Sequence, residues 1–389
     1  MTRALRPEYL VFGAPALGDA EVEEVTRTLR SGWLGTGPRV ARFEEEFASY
    51  TGATHAVAVN SCTAALHLSL LVAGAGPGTE VITTPMTFVA TLNAIVHAGA
   101  RPVLVDCNRD TGLIDPDRIA AAVTPRTRVL LPVHMHGRPC AMDEILEIAR
   151  DNDLLVVEDA AHAIEAQHGG RRVGTIGDLT CFSFYVTKNI TTVEGGMVTT
   201  AREDLADRLK VLALHGMSRD AWRRYSDAGY RHYDVVEPGF KYNLTDLQAA
   251  IGLRQLPHIE EWLMRREAIW GRYDEAFRDL PVGRPAPVPH DVRHARHLYA
   301  LLIDRDRCGI DRDTFMDRMH ARNIGTGVHY IAAHLHTFYR DSLGVTPRDF
   351  PNATWISERT ASIPLSPHLS DADVDDVIAA VQHAVEGVT

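Results

Sequence analysis

The stretch His55-Ala56-Val57-Ala58-Val59-Asn60-Ser61-Cys62-Thr63-Ala64-Ala65 joins an apolar run to the start of a segment rich in Ala and Leu. The run predicts a buried strand, and the segment after it predicts a helix. Backbone N–H groups at a helix start lack partners within the helix. With the hydroxyls of Ser61 and Thr63 they form a cup for a phosphate dianion, and we call residues 60–65 the phosphate cup. An ordinary helix N-cap has the same residue types, so this stretch alone favours the cap.

Further short apolar runs alternate with helix-like stretches up to residue 200. Because the runs are continuous in Val, Ile and Leu, they are typical of a mostly parallel sheet with helices on both faces. The sequence therefore predicts a doubly wound α/β fold with a seven-stranded, mostly parallel sheet. The predicted strands are residues 55–59, 80–83, 102–105, 128–133, 154–158, 181–184 and 197–200.

The pattern changes after about residue 246, where a long helical segment runs to about Leu280 and breaks near Pro257. A Pro-rich segment and a second α/β portion follow. That portion has a predicted strand over 298–303 and helices over 313–322 and 371–385, the last capped by Ser370. We predict two domains, residues 1–255 and a smaller C-terminal α/β domain over residues 256–389.

Composition excludes several classes of protein. With 389 residues, 45% hydrophobic and 23% charged, the chain can bury a large core, which excludes a disordered chain. A net charge of −11 argues against nucleic acid as a partner. No apolar run approaches the roughly 18 to 20 residues of a membrane span, and the start lacks a signal peptide's apolar segment. We therefore expect no membrane association and a cytoplasmic protein.

Two further polar positions follow predicted strands. In Val156-Val157-Glu158-Asp159-Ala160-Ala161-His162 an acid lies just past a buried strand, where open α/β sheets bind ligands, although Asp159 could equally cap a helix. Lys188 lies in a Thr- and Gly-rich loop, where a solvated lysine is the alternative. Taken together with the phosphate cup, these residues match what pyridoxal phosphate (PLP) requires. Lys188 would form the imine, Asp159 would hold the pyridine nitrogen, and Thr63 and Ser183 would hold the phosphate.

Several strings resemble, in order along nearly the whole chain, the DegT/DnrJ family of PLP-dependent sugar aminotransferases. The resemblance is closest to the branch that makes UDP-4-amino-4-deoxy-L-arabinose. The strings are Ser31-Gly-Trp-Leu-Gly-Thr-Gly-Pro38, Thr84-Pro-Met-Thr-Phe-Val-Ala-Thr91, His134-Met-His-Gly-Arg-Pro139, Glu158-Asp-Ala-Ala-His-Ala163, Thr187-Lys-Asn189, Lys241-Tyr-Asn-Leu-Thr-Asp246 and Ile324-Gly-Thr-Gly-Val-His-Tyr330.

The resemblance implies PLP fold type I and a homodimer whose active sites are built from both chains. It implies Lys188 as the Schiff-base lysine and proton shuttle, Asp159 as the partner of the pyridine nitrogen, and His162, where many members carry Gln, beside the ring hydroxyl. The implied cofactor contacts also include Thr63, Ala64, Phe88, Ser183 and, from the other subunit, Asn243. The implied substrate contacts are Thr36, His329 and Tyr330.

The expected reaction moves the amino group of L-glutamate, through pyridoxamine 5'-phosphate, to a keto carbon of a nucleotide-linked sugar. The resemblance favours carbon 4 of a dTDP- or UDP-linked keto-deoxysugar. A 3-keto sugar or an inosose is an alternative acceptor. A PLP-dependent sugar dehydrase, in which His typically replaces the lysine, and a non-catalytic PLP-fold regulator are less favoured, because Lys188, Asp159 and the phosphate cup are all present.

Two other groups of residues carry weaker predictions. Four histidines lack the carboxylate or Cys spacing of a metal site, so we expect no metal; they are His134, His136, His334 and His336. A basic stretch could attract a nucleotide pyrophosphate, although a solvated helix face is favoured. Its members are His215, Arg219, Arg223, Arg224, Arg231 and His232.

Overall fold

The computed structural model describes residues 5–217 and 234–386. Its strands are β1 (His55–Val59), β2 (Glu80–Thr83), β3 (Arg101–Leu104), β4 (Thr127–Leu131), β5 (Leu155–Asp159), β6 (Gln167–His168), β7 (Arg171–Arg172), β8 (Leu179–Ser183), β9 (Gly196–Thr200), β10 (Val292–Arg293), β11 (Tyr299–Leu302) and β12 (Thr360–Ile363).

Its helices are α1 (Asp19–Ser31), α2 (Pro38–Thr51), α3 (Cys62–Val72), α4 (Val89–His97), α5 (Pro116–Ala122), α6 (Met142–Asp151), α7 (Glu203–Ala213), α8 (Asp246–Gln255), α9 (Ile259–Ala276), α10 (Arg305–Cys308), α11 (Arg312–His320), α12 (Thr337–Leu343), α13 (Pro351–Arg359) and α14 (Asp371–Glu386).

The central sheet has seven strands in the order β1-β9-β8-β5-β4-β2-β3. Only β9 runs antiparallel to its neighbours, so the predicted seven-stranded, mostly parallel sheet is confirmed. Each predicted strand occurs, with ends that differ by at most two residues from those expected. Since six strands share one direction, their carboxyl ends meet at one edge of the sheet.

Both faces of this sheet are covered, as continuous apolar runs require. Two consecutive residues of β1 belong to the cores on opposite faces of the sheet. Val57 packs with α3, α4 and α7, whereas Ala56 packs with α2, α6 and α8. The helices therefore hold the sheet rigidly from two sides, and the loops at its carboxyl edge are left to form a site.

The C-terminal portion has its own antiparallel pair, β11 and β12, which packs with α9, α11 and α14. The predicted break near Pro257 is a single 3₁₀ turn between α8 and α9. The predicted cap of α14 is also present, since Ser370 Oγ accepts the N–H of Asp373 at 3.1 Å. Strand β12 was not predicted, because its small and polar residues do not form an apolar run.

The N-terminal segment pairs with this C-terminal portion. The N–H of Leu10 donates to the C=O of Asn323 at 2.8 Å, and the N–H of Gly325 donates to the C=O of Leu10 at 2.9 Å.

The division of the chain into two domains at residue 255 stays a prediction. In the basic stretch, His215 lies within the described residues and the other members lie outside them. Within the described ranges, no helix is long and apolar enough to cross a membrane.

Candidate active site

A cavity of about 610 Å³ lies at the carboxyl edge of the central sheet. The loops that follow β1, β2, β4, β5 and β8 line it, together with residues 329–330 of the C-terminal portion. Eight of the eleven residues predicted to contact the cofactor or the substrate meet there: Thr63, Phe88, Asp159, His162, Ser183, Lys188, His329 and Tyr330. Its size falls in the range of small-molecule sites.

Lys188 lies in the loop between β8 and β9, and a turn holds its backbone, because its N–H donates to the C=O of Tyr185 at 2.9 Å. The side chain lines the cavity rather than the outer surface. Burial lowers the pKa of its amine to about 8, although the carboxylate of Asp159 acts in the opposite direction. A lysine in this state is partly unprotonated near neutral pH, as a nucleophile or proton carrier must be.

Asp159 is the last residue of β5, and two donors fix its carboxylate. Oδ2 accepts the hydroxyl of Thr91 at 2.8 Å, and Oδ1 accepts the N–H of Ala161 at 3.2 Å. Burial raises the pKa of this carboxyl, and the two hydrogen bonds and the nearby Lys188 oppose the rise. The helix-cap alternative is wrong, since no helix begins between Asp159 and Glu203.

The hydrogen bonds of His162 determine its tautomer. Nδ1 accepts the backbone N–H of His136 at 3.2 Å, so the ring hydrogen is on Nε2, which lies 3.0 Å from the hydroxyl of Tyr330. Burial holds the pKa of His162 well below its usual value, and the charge of Lys188 lowers it further. The neutral ring thus donates to Tyr330, whose own hydrogen is then free to point into the cavity.

The phosphate cup has the geometry of an anion site. Ser61 caps α3 by accepting the N–H of Ala64 at 3.1 Å, while the N–H groups of Cys62 and Thr63 have no acceptor among the described residues. A Cβ at Gly196 would lie 2.6 Å from the backbone of Ser61, so only glycine lets β9 approach the cup so closely. Ala64 contributes its backbone to the cap and does not line the cavity.

Thr36 and Asn243 lie together outside the cavity lining, although the backbone of Asn243 is bridged to Val59 at the end of β1. The Nδ2 of Asn243 donates to Oγ1 of Thr36 at 2.7 Å, and neither residue lines the cavity that holds Lys188. Phe88, by contrast, lies at the cavity wall with its ring 5.4 Å from that of Tyr330. Of the eleven predicted site residues, eight thus line the cavity, Ala64 lies in the helix cap beside it, and Thr36 and Asn243 form a pair outside its lining.

Several residues that support Lys188 and its loop were not predicted from the sequence. His297 lines the cavity, and its Nδ1 lies 2.8 Å from Oδ1 of Asn189, the residue after Lys188. The Nδ2 of Asn189 donates to Glu165 at 2.7 Å, and Glu165 is paired with the buried Arg266. Only the position of Asn189 beside Lys188 could have indicated this network from the sequence.

The pairing of Glu158 with His134, beside Asp159, was also not predicted from the sequence. Glu158 accepts the N–H of Gly177 at 2.7 Å, the hydroxyl of Thr180 at 2.6 Å and Nε2 of His134 at 2.8 Å. Burial alone would raise the pKa of Glu158, but these hydrogen bonds outweigh burial and lower it. The carboxylate therefore stays ionised and ties β5 to its neighbours.

The cavity fits PLP on chemical grounds. It offers unpaired N–H groups at the start of an eleven-residue helix for a phosphate, a fixed carboxylate for a ring nitrogen, and an amine of lowered pKa for a carbonyl carbon. Among residues 5–217 and 234–386, no three His, Cys, Asp or Glu side chains are grouped so as to hold a metal ion.

Comparisons with known proteins agree with this chemistry. A model of the DegT/DnrJ/EryC1/StrS aminotransferase family matches residues 15–382. The chain is 51% identical to the spore coat polysaccharide biosynthesis protein SpsC of Bacillus subtilis (strain 168) over 384 residues, which cover 98% of each chain.

Two solved structures are similar over nearly the whole chain. One is the PLP form of the putative sugar aminotransferase Spr1654 from Streptococcus pneumoniae, with 34% identity, a TM-score of 0.90, and coverage of 98% of this chain and 100% of that one. The other is DesV of S. venezuelae in complex with a ketimine intermediate, with 36% identity, a TM-score of 0.87 and 95% of each chain covered. Both likenesses extend over the central sheet and the C-terminal portion.

Proposed function

The chain belongs to the DegT/DnrJ/EryC1/StrS aminotransferase family, and from this premise we propose that its amino acceptor is a nucleotide-linked keto-deoxysugar, aminated at carbon 4. The chain is a PLP-dependent sugar aminotransferase of fold type I, and L-glutamate is the amino donor that the family implies. The family does not fix the nucleotide linkage, dTDP or UDP, or the carbon that is aminated, and these are our proposals. A cytoplasmic location stays a prediction.

The main support for the proposed site is that Lys188, Asp159 and the phosphate cup line one cavity. When bound there, PLP acts as an electron sink for the substrate carbon that bears the amino group. We propose that Nζ of Lys188 takes the proton from that carbon, which a pKa of about 8 allows near neutral pH. Asp159, held by Thr91, would keep the ring nitrogen protonated.

The remaining residues of the cavity would orient the reactants. Phe88 would cover one face of the cofactor ring, His162 would lie near its hydroxyl, and Tyr330 would contact the sugar. Thr63 and Ser183 would add hydroxyl donors to the N–H groups of the phosphate cup. His329, whose Nδ1 lies 2.9 Å from Ser362 Oγ, would face the sugar from the C-terminal portion.

Two observations support the nucleotide sugar. A relative with half of its residues identical is named for polysaccharide biosynthesis, and polysaccharides are assembled from activated sugars. Lys188-Asn-Ile-Thr191, Glu194-Gly-Gly196 and Gly325-Thr-Gly-Val-His329 are similar to segments of the 4-amino-4-deoxyarabinose branch. A pyrophosphate-linked nucleotide also offers binding energy far from the reacting carbon, so removing it should reduce turnover as well as affinity.

The acceptor is tested in the reverse direction. The enzyme is incubated with 2-oxoglutarate and a UDP-linked 4-amino sugar, its 3-amino isomer, the same 4-amino sugar without the nucleotide, or a free aminocyclitol. Glutamate formation is then followed by mass spectrometry. We expect the 4-amino nucleotide sugar to react fastest. Faster reaction with the 3-amino isomer or the aminocyclitol would overturn the acceptor but leave the PLP chemistry intact.

We further propose that the active unit is a homodimer with shared sites. Asn243 does not line the cavity of its own chain, and α1 with the loop after it exposes large apolar side chains, Val22, Leu29, Trp33 and Leu34. Asn243 would then reach the phosphate of the neighbouring subunit. Mixing Lys188→Ala chains with Asn243→Ala chains should restore one intact site per mixed dimer, whereas no recovery after verified subunit exchange would count against sharing.

A further inference from the structure

A second cavity, of about 60 Å³, lies beside the first, and Leu298 lines both. Its walls come from the loop after β3, from residues 135–138 and from residues 284–302. This volume is enough for a group of a few heavy atoms rather than for a sugar or a nucleotide. None of the residues assigned above to PLP or to the sugar lines this second cavity.

Apolar residues make up most of the wall of the second cavity, and most of its charged side chains are cations. Arg109, Arg138 and Arg284 line it, and Asp110 is the single carboxylate among its described lining residues, which leaves two positive charges in excess. Arg284 donates to the C=O of Asp274 and lies 3.9 Å from its carboxylate, so it is partly compensated. The other two arginines form no ion pair within the described ranges.

The contacts that these two arginines do form leave most of their donors free. Arg138 donates from Nη1 to the C=O of Ala286 at 3.2 Å, and Arg109 lies 4.0 Å over the ring of Trp355. A guanidinium carries five N–H donors in a planar fork that suits two oxygens of one anion. Two such forks on one small cavity are typical of an oxyanion site.

A histidine adds a neutral donor. Nδ1 of His294 accepts the N–H of Arg296 at 2.9 Å, so the ring hydrogen is on Nε2, and burial holds the pKa of this ring well below its usual value. Arg296 itself is stacked 4.5 Å over Trp270, and its Nε is buried without a partner among the described residues. Burial and the charge of Arg296 lower the pKa of Arg138. The carboxylates of Glu267 and Asp274 partly offset the charge of Arg296, and Asp274 partly offsets that of Arg284, so the uncompensated charge lies on Arg138 and Arg109.

We propose that the second cavity is a binding site for a small oxyanion of the phosphate class, held by Arg138 and Arg109 with His294 as a neutral donor. The anion could be free phosphate or the phosphate of a larger ligand, because both present the same oxygens to the guanidinium forks. The proposal does not depend on the identity of the acceptor sugar. It concerns a site other than the phosphate cup.

The test uses the PLP-loaded enzyme, so that the cofactor occupies the phosphate cup. Binding of radiolabelled inorganic phosphate is measured by equilibrium dialysis at low ionic strength. We expect saturable binding of about one phosphate per chain with a Kd on the order of 1 mM or below. Arg138→Gln should weaken binding by about tenfold or more, and Arg150→Gln, an exposed arginine of α6, should leave it unchanged.

Arg109→Gln is the second variant, since Arg109 is exposed and its loss does not threaten folding. We expect it to weaken phosphate binding by severalfold with little effect on the thermal midpoint. Competition by UDP, with a raised KM for the nucleotide sugar in Arg109→Gln, would assign the anion to a nucleotide. Independent binding of UDP and phosphate would assign it to free phosphate. Absence of saturable binding, or binding that neither variant weakens, would overturn the proposal.

Discussion

The lowered pKa of Lys188 can be measured directly, because the chain contains three lysines, Lys188, Lys210 and Lys241. In the cofactor-free protein, a pKa of about 8 leaves about one tenth of the Lys188 amine neutral at pH 7 and about nine tenths at pH 9. Its reactivity toward acetic anhydride should therefore rise about tenfold between these values and then level off. An ordinary lysine would rise by nearly a hundredfold over the same interval without levelling.

The assay is competitive acetylation between pH 6 and 10 with quantification of the labelled peptides by mass spectrometry. Exposed Lys241 reports the reagent available at each pH. A steep rise of Lys188 labelling that continues past pH 9 would show that the amine is hydrated, and the proposed role in proton transfer near neutral pH would then fail.

Asp159 provides a second arm of the same experiment. The Cys62 thiol is neutral throughout this pH range, because burial raises its pKa well above the usual value, so Asp159 is the anion that acts on Lys188. Asp159→Asn should lower the pKa of Lys188 by about one unit, which raises its labelling at pH 7 about fivefold. The exposed Asp117→Asn is the control. An unchanged Lys188 profile in Asp159→Asn would refute the coupling.

Three further predictions concern the surroundings of the site. Gly196→Ala should weaken PLP binding by about tenfold or more in a fluorescence titration, since its Cβ would displace the phosphate cup, whereas Gly271→Ala, whose Cβ meets no atom within 4 Å, should not. Glu158→Gln should lower the free energy of unfolding by about 2 to 4 kcal/mol in urea, and equal stability at pH 7 would contradict the ionised carboxylate. Because the folded pKa of Glu158 is lowered, this contribution is complete above the ordinary glutamate pKa of about 4.3. It disappears as the pH falls through the folded pKa, so both proteins should converge in acid. Arg266→Ala should cost about 3 to 5 kcal/mol by leaving Glu165 unpaired, and Glu165→Gln in that background should recover part of the loss, or the pair is not coupled.

The central sheet and the meeting of Thr63, Asp159 and Lys188 in one cavity could be predicted because both follow from one property of the chain. Continuous apolar runs indicate parallel strands, and parallel strands bring the residues after their carboxyl ends to one edge. Thr63 and Lys188 follow β1 and β8, and Asp159 ends β5, so their meeting is a consequence of topology rather than of sequence proximity. Family resemblance assigned their roles but was not needed to bring them together.

His297 shows where that reasoning stops. It belongs to a segment before β11, which two long-range backbone hydrogen bonds hold against the loop after β4: Ala295 N–H to Gly137 C=O at 2.9 Å and His297 N–H to His136 C=O at 3.2 Å. Such bonds have no periodic signature in the sequence. The same is true of the two-residue strands β6, β7 and β10, whose pairing is set by the surrounding fold.

Four buried or half-buried histidines in and beside the Lys188 cavity, His136, His162, His297 and His329, lead to a last prediction, about the role of His162. Burial lowers the pKa of His136 to about 4 and of His329 to about 3, and it holds His162 and His297 well below their usual range. All four rings are therefore neutral between pH 6 and 9, the range in which transamination is measured. His162 then serves by accepting at Nδ1 and donating at Nε2, which a glutamine side chain can also do with its oxygen and its NH₂ group.

His162→Gln should consequently keep kcat within about fivefold of the wild type, whereas His162→Leu, of similar size but without polar atoms, should lose about a hundredfold or more. Transamination rates measured from pH 6 to 9 should show no step near pH 6.5 in the wild type or in the glutamine variant. If His162→Gln is as inactive as His162→Leu, or if the wild-type rate titrates near pH 6.5 and that step vanishes in the glutamine variant, the imidazole carries a proton in the reaction. The hydrogen-bonding role argued from its two partners would then be wrong, because a group that must gain and lose charge cannot be replaced by an amide.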